Sequence, residues 1–269
     1  MPNAEGFRFG VGSKEIGAQF RPAMGFVSRR GVRDSTADIG FTRIVHSDLL
    51  QSWFVGADAE RIEGLQGGLQ TQALALRPLE LETRGRDILR VVAMRSEERL
   101  AAPFTIYQDV KRRVVVPVGQ YAYTDYGFDL ETGSQRTWSG HLSYRNGDFY
   151  DGTRLSVGGD VTWRPSRHLG LKGAYSFNDI ELCSGTFSTR VLAASAEVVF
   201  SSALSWIMLM QYDNVSEVAG FQSRLVWVPK AGQKYFIVAN HGFQDIDKDG
   251  RFRSTSTEIS LRAGYTWRF

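Results

Sequence analysis

The chain ends on EISLRAGYTWRF, residues 258–269, and the order of side chains in this stretch decides the fold. Ile259, Leu261, Ala263, Tyr265, Trp267 and Phe269 form an apolar set, and Glu258, Ser260, Arg262, Gly264, Thr266 and Arg268 alternate with them as the polar set. Successive side chains of a strand point to opposite faces, whereas a helix would smear both sets around its circumference. The period is two, so the segment is a strand with one greasy and one wet face.

The pattern recurs upstream. Over 154–164, Leu155, Val157, Gly159, Val161 and Trp163 face away from Arg154, Ser156, Gly158, Asp160, Thr162 and Arg164. Leu169, Leu171, Gly173, Tyr175 and Phe177 oppose Lys172, Ser176 and Asn178, and Trp138, Gly140, Leu142 and Tyr144 oppose Ser139, His141, Ser143 and Arg145. Segments 205–212 and 235–240 place apolar residues on both faces, which suits strands whose inner side packs on something else. No stretch has a helical period.

Composition excludes a helical membrane protein: 42% of residues are hydrophobic, 23% are charged, and no run approaches the ~18–20 apolar residues of a spanning helix. A transmembrane barrel escapes that objection, because only alternate residues of its strands meet lipid. The 28 glycines and 12% aromatics lean towards a turn-rich barrel or sandwich. A net charge of +3 without a basic block argues against nucleic-acid binding. One cysteine, Cys183, removes any disulfide framework. The first residues, MPNAEGFRFG, lack the basic and apolar regions of a secretory signal.

Connections alternate in length, as they do between the two rims of an outer-membrane barrel. Backwards from the terminus they are long (241–255), short (229–233), medium (213–219), short (201–203), long (178–186) and short (165–167). A moderate loop (146–152), a turn (131–135), a long loop (95–118) and a tight turn (84–87) continue the series. Strands near 7–20, 32–46, 49–61 and 65–83 bring the expected total to about fourteen, an even number as bacterial barrels prefer. In a closed barrel the last strand pairs with the first, and Tyr265, Trp267 and Phe269 then sit in the aromatic girdle at the periplasmic rim. The competing expectation is a soluble sandwich ending on an amphipathic strand.

Particular stretches carry a resemblance. FRPAMGFVSRRGVR (20–33), VTWRPSRHLGLKGAYSFNDIEL (161–182), GTFSTRVL (185–192), QYDNVSEVAGFQSRLVWVPKAGQKYFIV (211–238) and the aromatic terminus resemble, in their order, the C-terminal β-barrel of the carbohydrate-binding family 9-like domain-containing outer-membrane proteins, the domain-of-unknown-function 5916 group. The resemblance implies an outer-membrane barrel and a terminal strand recognised by the barrel assembly machinery. It also implies that this chain is a C-terminal portion or shortened relative of an architecture with a signal peptide and a periplasmic sandwich ahead of the barrel. It implies no activity.

Chemistry must come from the residues. His46, His141, His168 and His241 suggest a membrane-embedded hydrolase, but Ser139 and Ser143 stand two positions either side of His141 and no acidic orienter can be assigned. DIDKDG at 245–250 places Asp245, Asp247 and Asp249 at positions 1, 3 and 5 of a calcium-type loop with Gly250 at 6, yet position 12 is Ser256 rather than an acid. It reads as a weak calcium loop or an acidic loop tip. Arg154, Asp160, Arg164, Lys172, Glu197, Arg224, Glu258 and Arg262 would face the lumen if the aromatic faces meet lipid, since a charge on the lipid side costs about 2–4 kcal/mol at the midplane. Mixed signs suit a watery channel or a salt-bridged interior. The expectation is therefore a non-enzymatic outer-membrane barrel, an anchor or conduit for a periplasmic module or envelope partner. The alternatives are a porin-like channel, a membrane-embedded hydrolase and a structural subunit of an envelope complex. Deleting 267–269, or changing Phe269→Asp, is expected to block assembly in the outer membrane, read as loss of heat-modifiable migration on gels.

Overall fold

A computed structural model describes residues 5–23, 25–109, 112–245 and 250–266. It contains sixteen strands and, among the described residues, no helix. They are β1 (Gly6–Ile16), β2 (Val32–Ile44), β3 (Leu50–Gly64), β4 (Leu69–Thr83), β5 (Ile88–Leu100), β6 (Phe104–Gln108), β7 (Arg113–Val116) and β8 (Gly119–Glu131). Then follow β9 (Trp138–Phe149), β10 (Gly152–Ser166), β11 (Leu169–Leu182), β12 (Gly185–Val199), β13 (Leu204–Asp213), β14 (Val218–Trp227), β15 (Gln233–Gln244) and β16 (Arg253–Tyr265). Fourteen form one antiparallel sheet, in the order β1-β2-β3-β4-β5-β8-β9-β10-β11-β12-β13-β14-β15-β16, and β6 pairs only with β7.

The expected number of strands is met, but the expected closure is not. The order begins on β1 and ends on β16, so each has a single ladder among the described residues and the sheet is open. Three connections also differ from expectation. The segment 95–118 is no plain loop, because β5 runs on to Leu100 and the β6–β7 hairpin follows. The segment 178–186 contains only a two-residue turn at 183–184, since β11 runs to Leu182 and β12 restarts at Gly185. At 150–151 the connection is equally tight, with Tyr150 in the left-handed region at φ 50°. The expected alternation of short and long loops is correspondingly weaker.

By contact the chain divides into two compact units, one of Met1–Glu131, Ser143–Ser156 and Asp179–Phe187, the other of Thr132–Leu142, Val157–Asn178 and Ser188–Phe269. In the first unit the ladders place Arg8, Gly40, Gly56 and Arg77 side by side across β1 to β4. The Phe54 ring, only 1% exposed, lies over the two glycines. A Cβ on either would run into it. The Arg8 and Arg77 guanidinium carbons stand 4.8 Å and 5.0 Å from the ring centroid, a cation–π arrangement on a partly desolvated ring. The opposite face of β1 carries Phe7, Phe9 and Val11, each more than 80% exposed.

In the second unit, β12 to β16 follow the same rule. Glu197, Ile207, Arg224, Val238 and Ser260 are direct partners along one rung. The alternate face presents Leu192, Met210, Phe221, Ile237, Ile259 and Leu261 to solvent. At Gly40 the atoms a Cβ would meet are side chains, chiefly the Phe54 ring, so the Gly40→Val change should displace that ring and lower the unfolding free energy by about 1–3 kcal/mol, as overpacked sites do. Urea unfolding in detergent micelles checks it, and the same change in a Phe54→Ala background should cost far less.

Candidate functional site

The polar face of the first unit is a chain of ion pairs. Glu80 and Arg90 are cross-strand partners on β4 and β5, with Arg90 Nε donating to Glu80 Oε2 at 2.8 Å. The same guanidinium approaches Asp129 at 3.9 Å, and Arg145 donates to Asp129 at 2.7 Å. Lys14 meets Asp34 at 2.8 Å, Arg86 meets Glu82 at 3.1 Å, Arg77 pairs with Asp58, and Arg154 lies 3.8 Å from Asp125. Asp34, Glu80, Glu82 and Asp125 are buried. A buried carboxylate persists in its charged form only when a cation and hydrogen-bond donors replace the water it has lost.

Of this network only Arg145 and Arg154 stand out from the sequence, each on the polar face of its strand. The signal for the rest was the LELE alternation at 79–82, where Glu80 and Glu82 share a face opposite Leu79 and Leu81. A bulge between Leu76 and Leu79 interrupts the pairing of β4 with β5 and obscures the period around it.

Over this face sits the β6–β7 hairpin. Val114 and Val116, 1% and 0% exposed, pack with Ile180, Leu182 and Phe187, and Phe104, Tyr121 and Phe149 border the cluster. Ile180 and Leu182 lie at even positions of β11, the set that also carries Lys172 and Asn178, so the hairpin covers the face that bears the polar residues. Tyr107 stacks on Phe187 with centroids 4.7 Å apart and planes 18° apart. Its hydroxyl donates to Asp109 at 3.0 Å, and Arg112 reaches the Thr186 carbonyl at 3.1 Å. Burial, and then the bond to Asp109, push the Tyr107 hydroxyl above its ordinary range.

Tyr150 closes the far side of the cluster. Its ring contacts those of Phe104, Tyr121, Tyr123 and Phe149 at 4.7–5.7 Å between centroids. Its hydroxyl donates to Glu98 at 3.0 Å. Burial first, and the Glu98 charge second, raise its pKa strongly, so the phenol stays protonated and remains a donor. A left-handed conformation at a bulky residue carries strain of about 1–3 kcal/mol, which the four ring contacts offset here.

In the second unit, residues expected from the sequence to face a lumen have polar or aromatic partners. Asp160 and Lys172 pair at 3.2 Å. Arg164 reaches the Ser134 carbonyl at 3.4 Å, and Arg224 lies over the Phe236 ring at 5.0 Å. Glu258 accepts from Ser260 at 3.1 Å and stands opposite Asn240, while Arg262 stands opposite Phe236. Tyr265 pairs with Gln233, and Trp267 and Phe269 lie outside the described residues.

The four histidines stand on separate parts of the chain. His46 lies in the connection 45–49 and His141 on β9, while His168 donates from Nδ1 to the Val199 carbonyl at 2.7 Å and accepts from Arg167 at 3.1 Å. His241 contacts Phe243 and hydrogen-bonds the Thr257 hydroxyl at 2.8 Å. Asp245 accepts the Gly250 backbone N–H at 2.8 Å; Asp247 and Asp249 lie outside the described residues. Among the described residues no cluster of three or more His, Cys, Asp or Glu side chains is placed to hold a metal ion. No known family matches the chain, and no curated protein matches it.

Removing Arg90 strands Glu80, whose side chain is 5% exposed. Arg90→Met should cost about 3–5 kcal/mol, and adding Glu80→Gln should recover most of it. Unfolding midpoints of the single and double variants check the coupling.

Proposed function

We propose that this chain is an outer-membrane β-barrel protein whose wall is the fourteen-stranded sheet, and that it acts as a closed membrane anchor for a periplasmic module or envelope partner. One observation carries the reading. Among the described residues, eight buried side chains are polar or charged and seven are hydrophobic, while large apolar side chains such as Phe7, Phe9, Val11, Ile259 and Leu261 are 69–86% exposed. In water that distribution is inverted, because a chain of this size folds by burying its apolar surface. In a bilayer the apolar rows meet lipid and the paired charges avoid it.

The open edges support closure as a step of membrane folding. An unpaired strand edge in hydrocarbon leaves backbone N–H and C=O groups without partners, at several kcal/mol each, so β1 and β16 must pair with each other or with a partner strand once in lipid. The anchor role, rather than an open channel, is supported by the hairpin seated on the polar face and by the density of ion pairs. The family resemblance, with its periplasmic domain ahead of the barrel, points the same way.

Two measurements test the reading. The chain should partition with the outer membrane, migrate heat-modifiably and give no conductance steps in a planar bilayer. Replacing 104–116 by a short Gly-Ser link should keep the migration and introduce steps. A chain that stays monomeric and folded without detergent would sink the membrane reading, and a conducting wild type would sink the closed anchor.

A further inference from the structure

The second unit contains a hollow that its own side chains leave unfilled. Direct ladder partners Gln211, Gly220, Gly242 and Ser256 form one rung across β13 to β16. Two adjacent glycines in the middle of a rung remove both Cβ atoms from one patch of the wall. The neighbouring rungs supply its rim: Leu209, Gln222 and Asn240 on one side, Asp213, Val218 and Gln244 on the other. The cavity there measures about 460 Å³, within the ~300–1,000 Å³ typical of small-molecule sites.

The other glycine pair on the polar face makes the point by contrast. Over Gly40 and Gly56 the chain lays the Phe54 ring, and a Cβ on either glycine would meet it. Over Gly220 no atom lies within 4 Å of where a Cβ would stand. The first pair is a slot for the protein's own aromatic; the second is open over Gly220, while a Cβ on Gly242 would meet the Ser256 hydroxyl at 2.7 Å, which closes that end of the hollow.

The lining selects a ligand class. Gln222 donates to Asn240 at 3.0 Å, which leaves an acceptor on Gln222 and donors on Asn240 for a visitor. Among the described residues the Gln211 amide has no side-chain partner, and Ser256 adds a hydroxyl. No lysine or arginine lines the hollow, and its imidazole, His241, is already hydrogen-bonded to the Thr257 hydroxyl at 2.8 Å, so an anion finds no fixed counter-charge. Both Asp213 oxygens are already engaged, by the Val215 N–H at 2.8 Å and the Ser216 hydroxyl at 2.9 Å, so a bare cation finds little. An apolar ligand would strand the amides at a cost in desolvation. A group that both donates and accepts at each position satisfies the lining, and Leu209 and Val218 offer apolar contact to a C–H face.

We propose that the hollow over the Gly220–Gly242 pair binds a neutral polyhydroxylated solute of roughly mono- to disaccharide size. The site needs only the β13–β16 ladder, and it does not depend on whether the sheet closes or conducts.

The experiment is titration calorimetry of the detergent-purified chain with maltose, and with gluconate as an anionic counterpart. Wild type should bind maltose and not gluconate. Gly220→Val fills the hollow without meeting a neighbour, so it should weaken maltose binding at least tenfold with an unchanged melting temperature. Gln222→Leu should weaken it similarly. Absence of maltose binding at millimolar concentration, wild-type affinity in Gly220→Val, or tighter binding of gluconate would each overturn the proposal.

Discussion

A strand offers its side chains two directions and no third, and every other property of this chain follows from how that restriction is used. The rows that hold Phe9, Val161, Leu192 and Ile259 leave large apolar side chains exposed. The residues between them therefore carry the whole burden of internal packing. The apolar core that exists is local, built where the β6–β7 hairpin lies over Ile180, Leu182 and Phe187. Elsewhere cohesion on the polar face rests on charge pairs and on aromatic rings under guanidinium groups.

Such a face is stable only as a set. Glu80, Arg90, Asp129 and Arg145 form a relay in which each cation serves one or two carboxylates. Removing one member leaves its neighbour charged, partly buried and unpartnered, which costs more than the pair itself contributes. A charged interior of this kind is therefore intolerant of single substitutions even where a hydrophobic replacement of the full set would fold.

Much of the fold was legible because strand period survives any sequence context. The alternations at 154–164, 169–178 and 258–265 lie inside observed strands, and the number of strands in the main sheet matched expectation. The hairpin was not legible for a specific reason. Ile180, Leu182 and Phe187 occupy polar-face positions and read as lapses of the pattern, whereas they are the receptor for Val114 and Val116. Only a partner far along the chain gives them meaning, and a local period carries no such information. The candidate site was legible in part: Arg154, Asp160, Lys172 and Arg224 stood out from the alternation and take part in ion pairs or a ring contact, but the N-terminal carboxylates were hidden by the bulges that interrupt β3 and β4. The same holds for the Gly220–Gly242 pair, which becomes adjacent only through the β14–β15 register.

The ring of Phe54 does more than fill space. A strand pair displaced by one residue would turn its whole apolar set inwards, and that error is costly enough to correct itself. A displacement by two residues keeps every face as it was, so hydrophobicity is blind to it. Phe54 is not, because such a shift of β2 would move Gly40 from beneath the ring and bring Thr42 or Asp38 into its place. The shape of one aromatic side chain thus acts as a key for the alignment of the first three strands, at the even offsets that polarity alone leaves ambiguous.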